Sequence, residues 1–115
     1  MLRFPKSSRL TRAAEFQRVK NEGESYHGKF IVLSVLKTTE PETRVGLVTS
    51  RRVGNAVKRN KVRRRMREIV RLARPQLKTG LWLVLIARWS AAGATYRALE
   101  QDWLRQAGRA SIFAQ

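Results

Sequence analysis

RVGLVTSRRVGNAVKRNKVRRRMREIVRLAR, residues 44–74, decides how the rest of the chain must fold. Its first seven residues, 44–50, carry strand-forming Val and Thr, and Gly46 within them suggests a bulge or a close backbone approach. Gly54 or Asn55 then ends a turn, and Val57 to Ala73 runs free of Gly and Pro, so a helix over 57–73 is expected. Val62, Met66, Ile69, Val70 and Ala73 recur at helical spacing as one apolar stripe, the face that must pack on a sheet. Asn60, Arg63, Arg64, Arg67, Arg71 and Arg74 fall away from it. LWLVLIA at 81–87, ending in Arg88, is a continuous apolar run expected as a central strand over 81–88, buried on both faces. Strand, helix and strand make a βαβ unit with parallel strands, for which a right-handed crossover is the general rule.

Outward from this unit, residues 1–10 read as a basic arm with Arg3, Lys6 and Arg9 available for phosphates. Thr11 is expected to cap a helix over 12–21, with Ala13, Phe16 and Val19 on one side and Gly23 at its stop. SYHGKFIVLSVLK at 25–37 reads as one strand with apolar residues on both faces. A polar turn, TTEPET at 38–43, would fold the 44–50 strand back antiparallel to it. Pro75 and Gly80 bracket a loop, SAAGAT at 90–95 is another, and Thr95 caps a helix over 95–107 with Tyr96, Leu99, Trp103 and Ala107 on its inner side, ended by Gly108. The expected architecture is an α+β (α/β) sandwich, a small mixed sheet with helices packed on it, in a single domain over 1–115.

Composition restricts what such a fold can do. Of 115 residues, 43% are hydrophobic and 29% charged, close to globular averages, yet 25 Lys and Arg oppose 8 Asp and Glu for a net charge of +17. That excess calls for a polyanionic partner. With no cysteine, disulfides and thiolate metal centres are excluded, and His27 is the only histidine available for imidazole ligation or base chemistry, so a protein-centred zinc site is not expected. The apolar run at 81–87 is too short to span a bilayer and MLRFPKSSRL has no signal-peptide h-region, so the expectation is a cytoplasmic protein without a membrane partner. Glu15, Glu22, Glu24, Glu40, Glu42, Glu68, Glu100 and Asp102 are scattered, with no pair suited to metal-assisted hydrolysis and no nucleophile with a base, so neither catalytic nor metal-ligating residues are expected.

Six arginines on one helix repel one another by tenths of a kcal/mol per pair, which a structural role alone does not explain, and Glu68 is expected to relieve Arg64 and Arg65. The choice of arginine over lysine matters, because its planar fork grips phosphate oxygens and stacks on bases. The preceding turn, with Arg51, Arg52, Gly54 and Asn55, could offer backbone N–H groups to a further phosphate. A membrane-surface helix would carry similar charge, but here the apolar stripe is needed by the sheet. Nucleic acid is the reading that remains.

The segment RVGLVTSRRVGNAVKRNKVRRRMRE at 44–68 resembles the signature of the bacterial ribonuclease P protein subunit, whose Arg-Asn-Arg-like hallmark is matched by Lys58, Arg59, Asn60, Arg63, Arg64, Arg67 and Glu68. The resemblance extends to SRLTRAAEFQRVKNEG at 8–23, KFIVLSVL at 29–36 and LVLIAR at 83–88, nearly the whole chain. It implies a βαβ crossover of the rare left hand, against the general rule. It also implies an accessory role beside a catalytic RNA that removes the 5′ leader of precursor tRNA with Mg²⁺ held mainly by RNA and substrate. On that resemblance, the RNA subunit is expected to contact Lys58, Arg59, Asn60, Arg63, Arg64, Arg67 and Arg71. Leader and precursor tRNA are expected to contact Phe16, Lys20, Arg51, Arg52 and Arg88, with no protein partner required. Lys20 stands where several members of the family carry a second aromatic, so a phosphate contact replaces a second ring. Two other readings share the charge: a structural RNA-binding protein of ribosomal type, and a DNA-binding domain with the basic helix in the major groove, which flanking strands disfavour.

Overall fold

The computed structural model describes residues 8–114. Arg3 and Lys6 of the expected arm lie outside them. The elements in chain order are α1 (Ala13–Glu22), β1 (Glu24–His27), β2 (Ile31–Lys37), β3 (Arg44–Val48), α2 (Ala56–Ala73), β4 (Leu81–Ala87) and α3 (Tyr96–Ala110).

The strands form one mixed sheet in the order β1-β2-β4-β3. β4 is central, antiparallel to β2 and parallel to β3, as the βαβ pattern requires. Two expectations fail. Residues 25–37 are not one strand: Gly28, Lys29 and Phe30 turn the chain, and β1 folds back antiparallel onto β2 with His27 opposite Val32. Nor does β3 pair with β2, because β4 inserts between them and its apolar length satisfies both.

The reason for the first failure lies far along the chain. Asp102 on α3, 1% exposed, accepts backbone N–H bonds from Lys29 (3.2 Å), Phe30 (2.9 Å) and Ile31 (3.0 Å). A Cβ on Gly28 would sit 2.4 Å from that carboxylate, so only glycine lets the turn close over it. From the other side, the Arg88 guanidinium donates to the Gly28 carbonyl at 2.9 Å and Ser90 donates to that of Lys29 at 2.7 Å.

Alternation along the strands divides the core between the sheet's two faces. Ile31, Leu33, Val35, Val45, Leu81, Leu83, Leu85 and Ala87 meet Val62, Met66, Ile69 and Val70 of α2 and Leu99, Trp103 and Ala107 of α3. Leu36, Trp82 and Val84 meet Val19 of α1, Leu10 and the half-buried Phe16. The helices therefore lie in two layers with the sheet between.

The helix ends add smaller corrections. Thr11 does not cap α1; Arg12 is the N-cap, and Glu15 reaches back to accept the Thr11 and Arg12 N–H groups at 3.0 and 2.9 Å, a longer-armed solution to the same orphan donors. Gly108 does not end α3, which continues to Ala110 and stops at Ser111 with φ 55°. The arm is not wholly irregular, since Leu10 N–H bonds to the Val45 carbonyl at 3.0 Å and Arg9 bridges Val45 in parallel, extending the sheet edge.

Candidate nucleic-acid interface

Helix α2 starts where Asn55 caps it, its side chain accepting the Lys58 N–H at 3.0 Å, and no acidic residue stands in the first turn. Lys58, Asn60, Lys61, Arg63, Arg64 and Arg67 are exposed, whereas Arg59, Arg65 and Arg71 are half-buried. Of the apolar stripe below them, Val62, Met66, Ile69 and Val70 are buried as its spacing predicts, and Ala73 at its end is half-buried.

Not every arginine is equally available. Arg65 donates to the Ala94 carbonyl at 2.6 Å and so ties α2 to the loop before α3. Arg71 forms a two-pronged pair with Glu68 at 3.0 and 2.6 Å. This corrects the expectation that Glu68 relieves Arg64 and Arg65: the i, i+3 partner gives the fork a better approach. The Arg71 hydrogen bonds hold the Glu68 carboxyl below its ordinary range and push the guanidinium's own pKa up. Arg63 donates twice to the Thr49 hydroxyl, at 3.1 and 2.7 Å, and Arg74 donates to Ser8 Oγ. Arg63 and Arg67 also join Arg9 around a hollow of about 240 Å³ against Leu10, Val45 and Leu47. Arg9 and Arg67 there offer forks to a phosphate chain, and Arg63, held on Thr49, adds its charge.

On the opposite face of the sheet, α1 leaves a groove of about 270 Å³ lined by Ala13, Phe16, Gln17 and Lys20 from the helix and Ser34, Val48, Val84 and Ile86 from the strands. Gly46 is what lets Phe16 descend, since a Cβ there would lie 2.4 Å from the ring. The close approach expected at Gly46 is therefore to an aromatic side chain. Phe16 is both core and groove wall. An apolar floor, one ring and the exposed Lys20 suit a single strand, whose bases stack while its phosphates meet cations.

Two clamps fix the groove's width. Glu15 pairs with Arg44 of β3 at 2.8 Å. Burial pushes the Glu15 carboxyl up, but hydrogen bonds from Arg12, Thr11 and Arg44 outweigh it and hold the pKa below the ordinary value. The guanidinium groups of Arg18 and Arg44 both approach the Trp82 ring, at 5.1 and 5.3 Å from its centre, and its indole N–H donates to Glu40 at 2.9 Å.

The remaining expected leader residues are not in this groove. Arg51 and Arg52 are exposed on a single 3-10 turn, Arg51–Val53, and Arg52 borders a separate depression with Lys58 and Trp89. Arg88, also exposed, holds the Gly28 turn. In the sequence Asp102 looks like one more of the scattered acids. Its position beside Trp103 and three after Leu99 puts it on the buried stripe of α3, which was the available signal.

The geometry thus offers an arginine-rich helix on one face and an aromatic-lined groove on the other. A sequence model for the family described as Ribonuclease P matches residues 4–111. The chain belongs to the ribonuclease P protein family. The ribonuclease P protein component of Natranaerobius thermophilus is 38% identical over 96 residues, covering 84% of this chain and 84% of that one. That of Chloroflexus aurantiacus is 41% identical over 103 residues, covering 86% and 76%. The RNase P protein of Staphylococcus aureus superposes with a TM-score of 0.87 at 26% identity, covering 95% of this chain and all of that one. Membership makes the chain a protein component of ribonuclease P, an endoribonuclease complex, in association with ribonuclease P RNA. Among the described residues, no group of His, Cys, Asp or Glu could hold a metal ion, and no helix is long and apolar enough to cross a membrane.

Proposed function

We propose that the exposed face of α2 binds ribonuclease P RNA while the groove between α1 and the sheet holds the 5′ leader of precursor tRNA. The observation that carries this reading is the separation of the two surfaces by the full thickness of the sheet, so that both RNAs can be engaged at once. Lys58, Arg59, Asn60, Arg63, Arg64 and Arg67 serve the RNA subunit, with Arg9 as an added contact beside Arg63 and Arg67. Arg71 contributes through the orientation that Glu68 imposes. Phe16 offers a stacking face and Lys20 a phosphate contact, and the apolar floor reads no base edge, which suits an enzyme acting on many leaders.

Arg51 and Arg88 lie beyond the groove as added phosphate contacts along the leader's path. Hydrolysis belongs to the RNA, with Mg²⁺ held by RNA and substrate; what the protein supplies is charge neutralisation, which lowers the repulsion between two RNA backbones. Such a protein works in the cytoplasm, where precursor tRNA is made. Reconstitution tests this reading: the protein, added to ribonuclease P RNA at low Mg²⁺, should raise the rate of precursor tRNA cleavage. No stimulation, or cleavage by the protein after complete RNA removal, would overturn it.

A further inference from the structure

On the α2 and α3 side of the sheet, a depression of about 660 Å³ lies between the turn before α2 and the segment leading into α3. Its floor is apolar, with Val53, Phe30 and Ala98, and Trp89 forms a wall that is 71% exposed. Arg52 and Lys58 stand at its rim, and no acidic side chain lines it. A lone exposed aromatic requires no explanation. A tryptophan beside an apolar floor with two cations at the edge is a different matter, because the indole gives a base a flat partner while the cations meet the flanking phosphates.

We infer that this depression is a stacking site for one unpaired nucleotide of ribonuclease P RNA. The RNA subunit is its source, and not the leader, because Lys58 belongs to the same helix as the arginine face and continues it. The leader groove opens on the other side of the sheet, where Val48, Val84 and Ile86 form its floor. Trp89 lies at the start of the 3-10 segment Trp89–Gly93, one residue past Arg88, whose N–H bond to the Phe30 carbonyl at 2.8 Å carries the β4–β2 pairing just beyond the end of β4. The backbone that carries the ring is therefore anchored at the end of a sheet strand, which limits the ordering that stacking costs to the side chain.

The inference rests on α2 as the RNA-subunit face, and its test keeps the two apart. Equilibrium binding of ribonuclease P RNA is measured for the wild type, Trp89→Ala and Trp89→Phe over a range of salt. Trp89→Ala should weaken binding about tenfold, ~1.4 kcal/mol, with an unchanged salt slope, since a stacked base releases no counterion. Trp89→Phe should stay within about threefold of the wild type, because a phenyl ring still stacks. Tryptophan emission gives a second readout, because Trp82 and Trp103 are 6% and 1% exposed and Trp89 is the one tryptophan RNA can reach. Ribonuclease P RNA should quench the wild type and leave Trp89→Phe nearly unquenched. Equal affinity and equal quenching across the three proteins would overturn the site while leaving α2 as the RNA face. A loss confined to precursor tRNA bearing a leader would overturn it too. A wild-type protein that does not bind ribonuclease P RNA would overturn the underlying reading instead.

Discussion

Gly46→Ala places one methyl group where the groove is built. The new Cβ would lie 2.4 Å from Phe16 Cε1, 2.6 Å from Cζ and 3.2 Å from Leu10 Cβ. Ordinary carbon contacts lie near 3.5–4.0 Å, so the ring must move by roughly an ångström. Below it are Leu10, Val19, Trp82 and Val84, so the ring can move only upward, into the groove. Overpacking of this kind costs about 1–3 kcal/mol, and at ~4 °C per kcal/mol for a chain of this size the melting temperature should fall by roughly 4–12 °C. A double-mutant cycle isolates the cause. Phe16→Ala alone removes a half-buried ring and costs about 1.5–2.5 kcal/mol; in that background Gly46→Ala has nothing to strike and should add less than about 0.5 kcal/mol. Denaturant unfolding of the four proteins measures the coupling. In reconstituted ribonuclease P, Gly46→Ala should weaken precursor tRNA binding and leave mature tRNA binding nearly unchanged. Costs that add across the cycle, or equal losses for both tRNAs, would refute the link between Gly46, Phe16 and the leader.

Other perturbations test other parts. Asp102→Ala strips the acceptor from three backbone N–H groups, of which that of Ile31 is buried, and should cost about 3 kcal/mol, read as a melting temperature lower by roughly 12 °C. A loss under about 1 kcal/mol would mean that the turn stands without Asp102. Glu15, whose folded pKa lies below its ordinary 4.5, contributes stability that is fully present above that pH and is lost as pH falls through the lower folded value. Glu15→Gln should therefore lower stability at neutral pH and flatten its decline in acid; parallel pH curves for both proteins would argue otherwise. Arg67→Ala should make the log–log salt slope of ribonuclease P RNA binding shallower by about 0.7–0.9. An unchanged slope would remove Arg67 from the phosphate contacts.

Local pattern carried the elements whose partners are near in sequence. The stripe Val62, Met66, Ile69 and Val70 identified α2 and its buried face, and the unbroken run at 81–87 identified β4 as central. What local pattern could not carry was pairing between distant segments. Residues 25–37 are strand-forming apart from Gly28, and the turn there is closed by Asp102, more than 70 residues away, so the glycine alone does not tell a hairpin from a bulge. The partner of β3 is hidden for a similar reason, since the short turn behind it suits a hairpin with β2 and the helix ahead suits parallel pairing with β4, and local pattern does not choose between them. At the site, periodicity found the exposed side of α2 but not which arginines the fold itself engages: Arg65 with Ala94 and Arg63 with Thr49 are visible only once the helix is packed, whereas Arg71 with Glu68 is an i, i+3 pair that the helix alone allows. Phe16 and Lys20 do share a groove, because four residues apart is one helical turn. Arg52 does not join them, because a glycine-ended turn carries it over the sheet's end toward Trp89.

Position-specific crosslinking tests the division between the two RNA surfaces most directly. The chain has no cysteine, so Gln17→Cys in the groove and Arg64→Cys on α2 each give one attachment point for a photoreactive probe. In reconstituted ribonuclease P with precursor tRNA, position 17 should crosslink to nucleotides of the 5′ leader and position 64 to ribonuclease P RNA. Both probes reaching the same RNA, or the two RNAs exchanged between them, would contradict the account.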